Sequence, residues 1–252
     1  MKPLRGLVST MNKPSRIEGG TRKKVGILGA RGMLGSDLTR FMEAEFDVYG
    51  ITLEKYEASR GMLFDVLINA NGNSRRFWAN EHPPEDFDAS TTSVYRSLFD
   101  FKCATYVYIS SSDVYDRHGS PATTRESENI SIASLCPYGF HKYLSEILVH
   151  RYAPKFLILR LCSMLGSTLK KGPFFDAFSG TPLFVSLDSK FQLITTREVA
   201  NAVIFLLARG ITSEVFNVGG LGFFSLTILP SRIEKPVSAL KDAPKQEYEM
   251  DV

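Results

Sequence analysis

The seven residues Gly29-Ala-Arg-Gly32-Met-Leu-Gly35 constrain this chain more than any other stretch. They lie between a short apolar run, 24–28, and a segment that places Leu34, Leu38, Phe41 and Met42 on one face of a helix. A chain turns this sharply from strand to helix only where side chains are absent. Glycine also lets the backbone approach a pyrophosphate, while the helix N-terminus offers free N–H groups and a partial positive charge to the anion. The spacing is GxxGxxG, and its setting points to a dinucleotide held by Gly29, Arg31, Gly32, Met33, Leu34 and Gly35.

The rest of the chain alternates in the same way. Segments 46–53, 65–70, 105–110, 156–161 and 214–218 read as strands, and segments near 84–101, 138–152 and 197–208 as helices. That order predicts an α/β chain with a Rossmann-type doubly wound parallel sheet. Regularity weakens over 166–187, which is rich in Gly, Pro, Ser and Phe, as expected of a small C-terminal substrate lobe. The expected division is a disordered basic tail over 1–23, a Rossmann core over 24–165, and a mixed region over 166–252 that returns the last core elements at 197–218. Residues 231–252 are polar, with a strand-like patch at 247–252.

Charge and cysteine content narrow the function. Lys and Arg number 30 against 27 Asp and Glu, too small an excess to make nucleic acid the expected partner. The excess belongs to residues 1–24, which carry seven basic residues and Glu18, a net of +6 that leaves −3 on the rest. This tail has no apolar h-region and is broken by Pro3, Pro14, Gly19 and Gly20; Met11 could be an alternative start, and organelle targeting is a minority reading. No apolar run approaches the ~18 residues of a membrane span, so no membrane partner is expected. Cys103, Cys136 and Cys162 are odd in number and widely spaced, which fits reduced thiols in a cytoplasmic setting, and they form no metal-ligand cluster.

The chemistry concentrates in two places. Tyr138 and Lys142 form a YxxxK pair that shares one helix face, where an ammonium can favour the phenolate of a tyrosine that otherwise titrates near 10. Twenty-seven residues before Tyr138, the strand at 105–110 runs into Ser110-Ser111-Ser112-Asp113. Ligands of an open parallel sheet sit outside the carboxyl ends of its strands, so a hydroxyl there can bond a substrate carbonyl. Alone, three serines make an ordinary polar loop. No clear acid ends the second strand: Thr52 takes that place, with Glu54 two residues later, while Arg31 could reach a ribose 2′-phosphate. These features favour NADP over NAD; otherwise Arg31 is simply exposed. His141 points to another helix face. Arg75, Arg76 and Trp78 frame a pocket, bind a diphosphate or form a surface loop.

Together the segments VGILGARGMLGSDL, DVLINANG, YVYISSSDVYD, PYGFHKYLSE, LRLCSMLG, ITTREVANAVIFLL and FNVGG resemble the extended short-chain dehydrogenase/reductase family, the nucleotide-sugar epimerases, dehydratases and reductases. The resemblance covers roughly residues 24–229. It implies a catalytic Ser111–Tyr138–Lys142 triad, with Lys142 on the nicotinamide ribose and Thr52, Ala70, Asn71 and Gly72 along the cofactor. Ser112, Asp113 and Ser163 would face the sugar nucleotide. It also implies hydride exchange with a nucleotide sugar and a homodimer; a catalytically silent NADP-binding sensor is the alternative. Ser163 and Ser90 stand where the family usually has Asn. Dehydratases carry Asp-Glu where this chain has Ser112-Asp113. GDP-4-keto-6-deoxymannose epimerase/reductases share the GxRGMxG turn and the serine pair but have Cys at the place of Asp113. Asp113 is thus either a second acid–base group or the cap of the following turn. Segment 54–64 is shorter than in the family, which implies fewer strands.

Overall fold

The structure is a computed structural model that describes residues 22–252, so the tail expected over 1–23 lies outside the described residues except for Arg22 and Lys23. The elements follow in chain order as β1 (Lys24–Leu28), α1 (Met33–Met42), β2 (Asp47–Ile51), α2 (Leu53–Ser59), β3 (Leu63–Asn69), α3 (Arg76–Glu81) and α4 (Pro83–Asp86). A wide helical turn over Phe87–Thr92 then leads to α5 (Ser93–Asp100), β4 (Lys102–Ser111), α6 (Pro137–Tyr152), β5 (Phe156–Leu161) and β6 (Ser163–Leu165). The chain ends with α7 (Pro173–Ser179), β7 (Lys190–Phe191), β8 (Leu193–Thr195), α8 (Thr196–Ala208), β9 (Glu214–Val218), β10 (Phe224–Ser225) and β11 (Glu247–Tyr248).

Six parallel strands form one sheet in the order β2-β1-β3-β4-β5-β9. The central strands are buried on both faces, which is why 156–161 is apolar at every position but Arg160. On one face Leu34 and Leu38 of α1 and Val199 and Val203 of α8 pack against Val25, Ile27, Val107 and Leu159. On the other, Val94 of α5 and Val149 of α6 meet Leu67, Tyr106, Tyr108 and Ile158. A smaller lobe has its own core of Phe174, Leu183, Val185, Phe191, Leu226 and Tyr248 around the sheet β10-β7-β11. The short parallel pair β6-β8 joins it to the main sheet's end. Among the described residues no helix is long and apolar enough to cross a membrane.

Three local readings change. The second strand stops at Ile51, because Thr52 becomes the N-cap of α2 and Leu53 its first residue. Segment 54–64 therefore carries a helix and no strand until Leu63, and β2 is the sheet's edge. The helix expected near 84–101 is divided by the turn at 87–92. There the hydroxyl of Ser93 donates to the carbonyls of Ala89 (2.6 Å) and Ser90 (3.2 Å), the competition for backbone that distorts helices rich in Ser and Thr. The patch at 247–252 pairs as a strand only over Glu247–Tyr248, beside β7.

Arg160 of β5 is the one charge inside that otherwise apolar strand, and it is 4% exposed. Burying an ion is costly unless its hydrogen-bonding groups are met. Glu146 of α6 accepts from its Nη2 (2.7 Å) and Nε (3.1 Å), and Tyr115 Oη takes Nη1 (2.9 Å) while donating to Asn217 Oδ1 (2.8 Å). Removing the carboxylate by Glu146→Ala leaves the guanidinium uncompensated and is expected to cost about 3–5 kcal/mol in urea unfolding. An unchanged unfolding midpoint would mean that Arg160 finds other partners without loss.

Candidate active site

The strand order reverses between β1 and β3, and the glycine turn emerges at that point. Gly29 has φ +80°, a left-handed conformation that favours glycine. Its N–H and that of Ala30 donate to the Ile51 carbonyl (3.1 and 3.3 Å), while the Ala70 N–H donates to the Leu28 carbonyl (3.1 Å), so three strand ends are tied together. A Cβ on Gly35 would lie 2.1 Å from the Gly29 carbonyl oxygen, closer than atoms can approach. Gly32 is the N-cap of α1 and brings no side chain to its first N–H groups. A side-chain-free cradle ending in uncapped N–H groups fits the pyrophosphate of a dinucleotide.

Arg31 leaves this turn 74% exposed and pairs with Glu54. Glu54's carboxyl is held below its usual range by a backbone N–H and by the Thr52 hydroxyl, with Arg31 adding to both. Beyond β3, Asn69 is fully buried; its amide donates to Tyr106 Oη (2.7 Å) and its Oδ1 accepts from the Asn71 N–H (3.0 Å). That side chain shapes the Ala70-Asn71-Gly72 loop. Gly72 follows with φ +115°.

The YxxxK pair belongs to the helix packed on β4, the strand next to β3. Tyr138 and Lys142 stand on α6, 8% and 6% exposed. Lys142 Nζ donates to the carbonyl of Ile109 (3.1 Å), two residues before Ser111, and lies 5.2 Å from the Tyr108 ring centroid. Burial pushes Lys142 down to about 8, against the pull of the Asp86 and Glu146 charges. Tyr138 is pushed well above its usual value, first by burial and then by the Asp113 carboxylate, while the Ser111 hydroxyl partly offsets both. Without a ligand the pair is therefore a neutral phenol and a lysine that loses its proton just above neutrality.

Ser111 closes β4 and caps the turn at 112–114: its Oγ accepts from the Asp113 N–H (3.2 Å) and donates to Asp113 Oδ2 (3.2 Å). The cap is thus Ser111 and not Asp113. The Asp113 carboxylate, 12% exposed, instead faces Arg76 Nε (3.1 Å) and the Tyr248 hydroxyl (3.1 Å). Tyr248 is itself stacked between His118 (4.0 Å) and Phe191 (5.7 Å).

Of the other candidates, Ser112 is buried and Ser163 is half-buried on β6, while Arg75 is exposed. Trp78 lies against His82, with ring centroids 5.1 Å apart. The His141 ring turns away from the line of Tyr138 and Lys142 onto Asp86. Three residues with no spacing signal in the sequence also belong here. Tyr248 and Asp86 are two. Lys171 is the third, donating to the carbonyl and hydroxyl of Ser74, the latter at 2.7 Å. Its pKa is lowered to about 8 by burial, with Arg75 and Lys142 adding to it.

The profile of the NAD dependent epimerase/dehydratase family matches residues 62–219. No curated protein matches the sequence. Among solved structures, the dTDP-4-dehydrorhamnose reductase of Bacillus anthracis, in complex with NADP, superposes with a TM-score of 0.75 at 17% identity, covering 92% of this chain and 90% of its own. A UDP-galactose 4-epimerase gives 0.72 at 17% identity over 90% and 89%. The UDP-glucuronic acid 4-epimerase of Bacillus cereus, in complex with UDP-glucuronic acid and NAD, gives 0.71 at 19% identity over 89% of each chain. At such identities the likeness is one of fold.

One contact fixes the two halves of the site together. A Cβ on Gly139 would stand 2.1 Å from the Asp113 carbonyl oxygen, so the first turn of α6 rests directly on the turn that presents Ser111. Gly139→Ala must force them apart, an overpacking expected to cost about 1–3 kcal/mol and to lower the Tm. A Tm equal to that of the parent protein would show that α6 can retreat freely.

Proposed function

The chain belongs to the NAD dependent epimerase/dehydratase family, and we propose that it is an NAD(P)-dependent enzyme that acts on a nucleotide sugar by hydride transfer. The observations that support this reading are that Lys142 bonds the Ile109 carbonyl near the carboxyl end of β4, that the first turn of α6 rests on the turn Ser111 caps, and that the glycine turn of the same sheet leaves its helix N-terminus without a side-chain cap. The nicotinamide, when bound, accepts or donates the hydride at a sugar carbon. Tyr138 moves the proton of the sugar hydroxyl. Ser111, by turning its hydroxyl from Asp113, hydrogen-bonds the reacting oxygen. Lys142 holds the ribose and draws Tyr138 toward phenolate, opposing the burial that raises it. Asp113, Ser112 and Ser163 lie on the sugar side. Residues 24–165 then hold the dinucleotide and 166–252 shape the substrate side, with 197–218 completing the core.

The nucleotide-sugar ligand of the Bacillus cereus structure supports the substrate class. For the cofactor we favour NADP, because Arg31 is an exposed guanidinium on the pyrophosphate turn and needs only to leave Glu54 to meet a 2′-phosphate. The same Glu54 carboxylate supports NAD as a second reading, since it could accept from a ribose 2′-hydroxyl. A homodimer is supported by an exposed cluster of rings on α5 and α6, in which Tyr95, Phe99 and Tyr152 lie 5.1 to 5.5 Å apart. Three free cysteines support a reducing, cytoplasmic setting.

Turnover of a panel of nucleotide sugars, followed by nicotinamide absorbance and product chromatography, tests the reading. Tyr138→Phe is expected to lower kcat by about 100-fold or more while cofactor affinity stays within a few-fold; full activity in that variant would sink the assignment, and cofactor binding without conversion of any sugar would favour the sensor. For the cofactor, Arg31→Ala should weaken NADP by roughly tenfold and leave NAD nearly unchanged, measured by calorimetry. Equal losses for both would remove Arg31 as the ground for favouring NADP.

A further inference from the structure

Asp86 is fully buried, and its carboxylate is the meeting point of three segments. His141 Nδ1 lies 2.6 Å from its Oδ2, and its Oδ1 accepts from Asn73 Nδ2 (2.9 Å) and Ser90 Oγ (3.2 Å). Asn73 belongs to the loop that continues Ala70-Asn71-Gly72. That residue also organises the loop around itself: its Oδ1 accepts from the Arg75 N–H (2.8 Å), and its own N–H donates to Ser90 Oγ (3.3 Å). His141 is the residue before Lys142 and the third after Tyr138, 5% exposed, with its ring edge-on to Phe87 at 5.5 Å. Its carbonyl accepts from Thr91 Oγ1 (3.2 Å) and Ser145 Oγ (2.8 Å), which fixes α6 at this point.

A carboxylate with no access to water is retained only where donors meet it. Here the donors come from the dinucleotide-facing loop and from the helix that bears the proposed proton-transfer pair. We propose that Asp86 and His141 form a positioning pair that fastens loop 70–75 to α6, so that seating the dinucleotide and aligning Tyr138 and Lys142 are one event. This rests on the dinucleotide-binding reading above. It gives a role to two residues that touch neither cofactor nor sugar in that reading.

Charge adds to the geometry. The groups facing Lys142 are Asp86, Glu146 on its own helix, and Lys171 from the loop before α7. Those facing Tyr138 are Asp113, Asp86 and Cys136. Asp86 favours the ammonium of Lys142. An affinity that uses this ammonium is complete below the Lys142 pKa of about 8 and falls as pH rises through it. Without the Asp86 charge that fall comes at lower pH.

The test uses the full chain and measures NADP and NAD affinity by calorimetry from pH 6.5 to 9.5, with thermal unfolding as a control for folding. Asp86→Asn is expected to weaken binding several-fold at neutral pH and to move the alkaline fall downward by roughly half a pH unit. His141→Leu should weaken binding similarly, and His141→Asn, whose amide can replace Nδ1, should restore most of it. Asn73→Ala leaves both charges of the pair in place and removes the loop's bond to Asp86 together with its turn onto Arg75; it should weaken binding several-fold with the pH dependence unmoved, and it decides the matter if the Asp86 variant does not fold. A folded Asp86→Asn protein with parental affinity and pH dependence overturns the proposal, as does unchanged affinity in Asn73→Ala. Failure of the parent protein to bind either dinucleotide would instead overturn the functional reading itself.

Discussion

The structure depends on an absence: no side chain can stand between Gly35 and the Gly29 carbonyl. Because α1 can therefore sit against the end of β1, its first N–H groups begin where β1, β2 and β3 end together. The order of the strands follows from the same point, since the chain leaves β1 toward β2 on one side and returns to β3 on the other. Gly139 repeats the device on α6, whose first turn rests on the carbonyl of Asp113. Two helices are thus placed by backbone contact, and backbone does not change rotamer. The site inherits its shape from these contacts before any polar group is considered.

Polar fastening comes next, and it uses carboxylates. Asp37 of α1 accepts from Arg40 (2.7 Å), from Thr196 at the start of α8 (2.6 Å) and from Ser167 beyond β6 (3.3 Å). Glu146 joins α6 to Arg160 of β5, and Asp86 joins α6 to the loop after β3. Asp113 gathers Arg76 and Tyr248 beside Ser111. Each acid serves donors from separate stretches of chain. An apolar contact could hold these stretches together, but it would tolerate sliding; directional bonds to a fixed carboxylate narrow the arrangement.

Local pattern made the strands and the main helices legible. Runs buried on both faces announce the parallel sheet, and the i, i+4 spacing of Tyr138 and Lys142 is a property of the helix alone. The glycine turn was readable for the same reason. Boundaries were less so: Leu53 is apolar and extends the pattern of β2, yet Thr52 caps a helix there. The helix before β4 reads as one element, because nothing in its apolar spacing reveals that Ser93 bonds back to Ala89. The remaining parts of the site lie far apart in sequence. Asp86 and His141 are separated by 55 residues, and Asp113 and Tyr248 by 135. No periodicity encodes such pairs; only the closed fold brings them into contact. His141 and Asp113 were visible as residues, but their partners were not.

The ring stack of His118, Tyr248 and Phe191 has a temporal side. The sheet from β1 to β9 is complete once residue 218 has been synthesised, and a chain of that length already contains Ser111, Tyr138 and Lys142. Tyr248, whose hydroxyl donates to the Asp113 carboxylate, arrives last, with β11 laid beside β7 and the Glu249 N–H bonded to the His118 carbonyl (2.8 Å). During synthesis from N- to C-terminus, the sheet half can fold first and the small lobe's wall is added afterwards. A growing chain would thus complete the sheet and its glycine turn before it gains the ring stack that closes over Asp113.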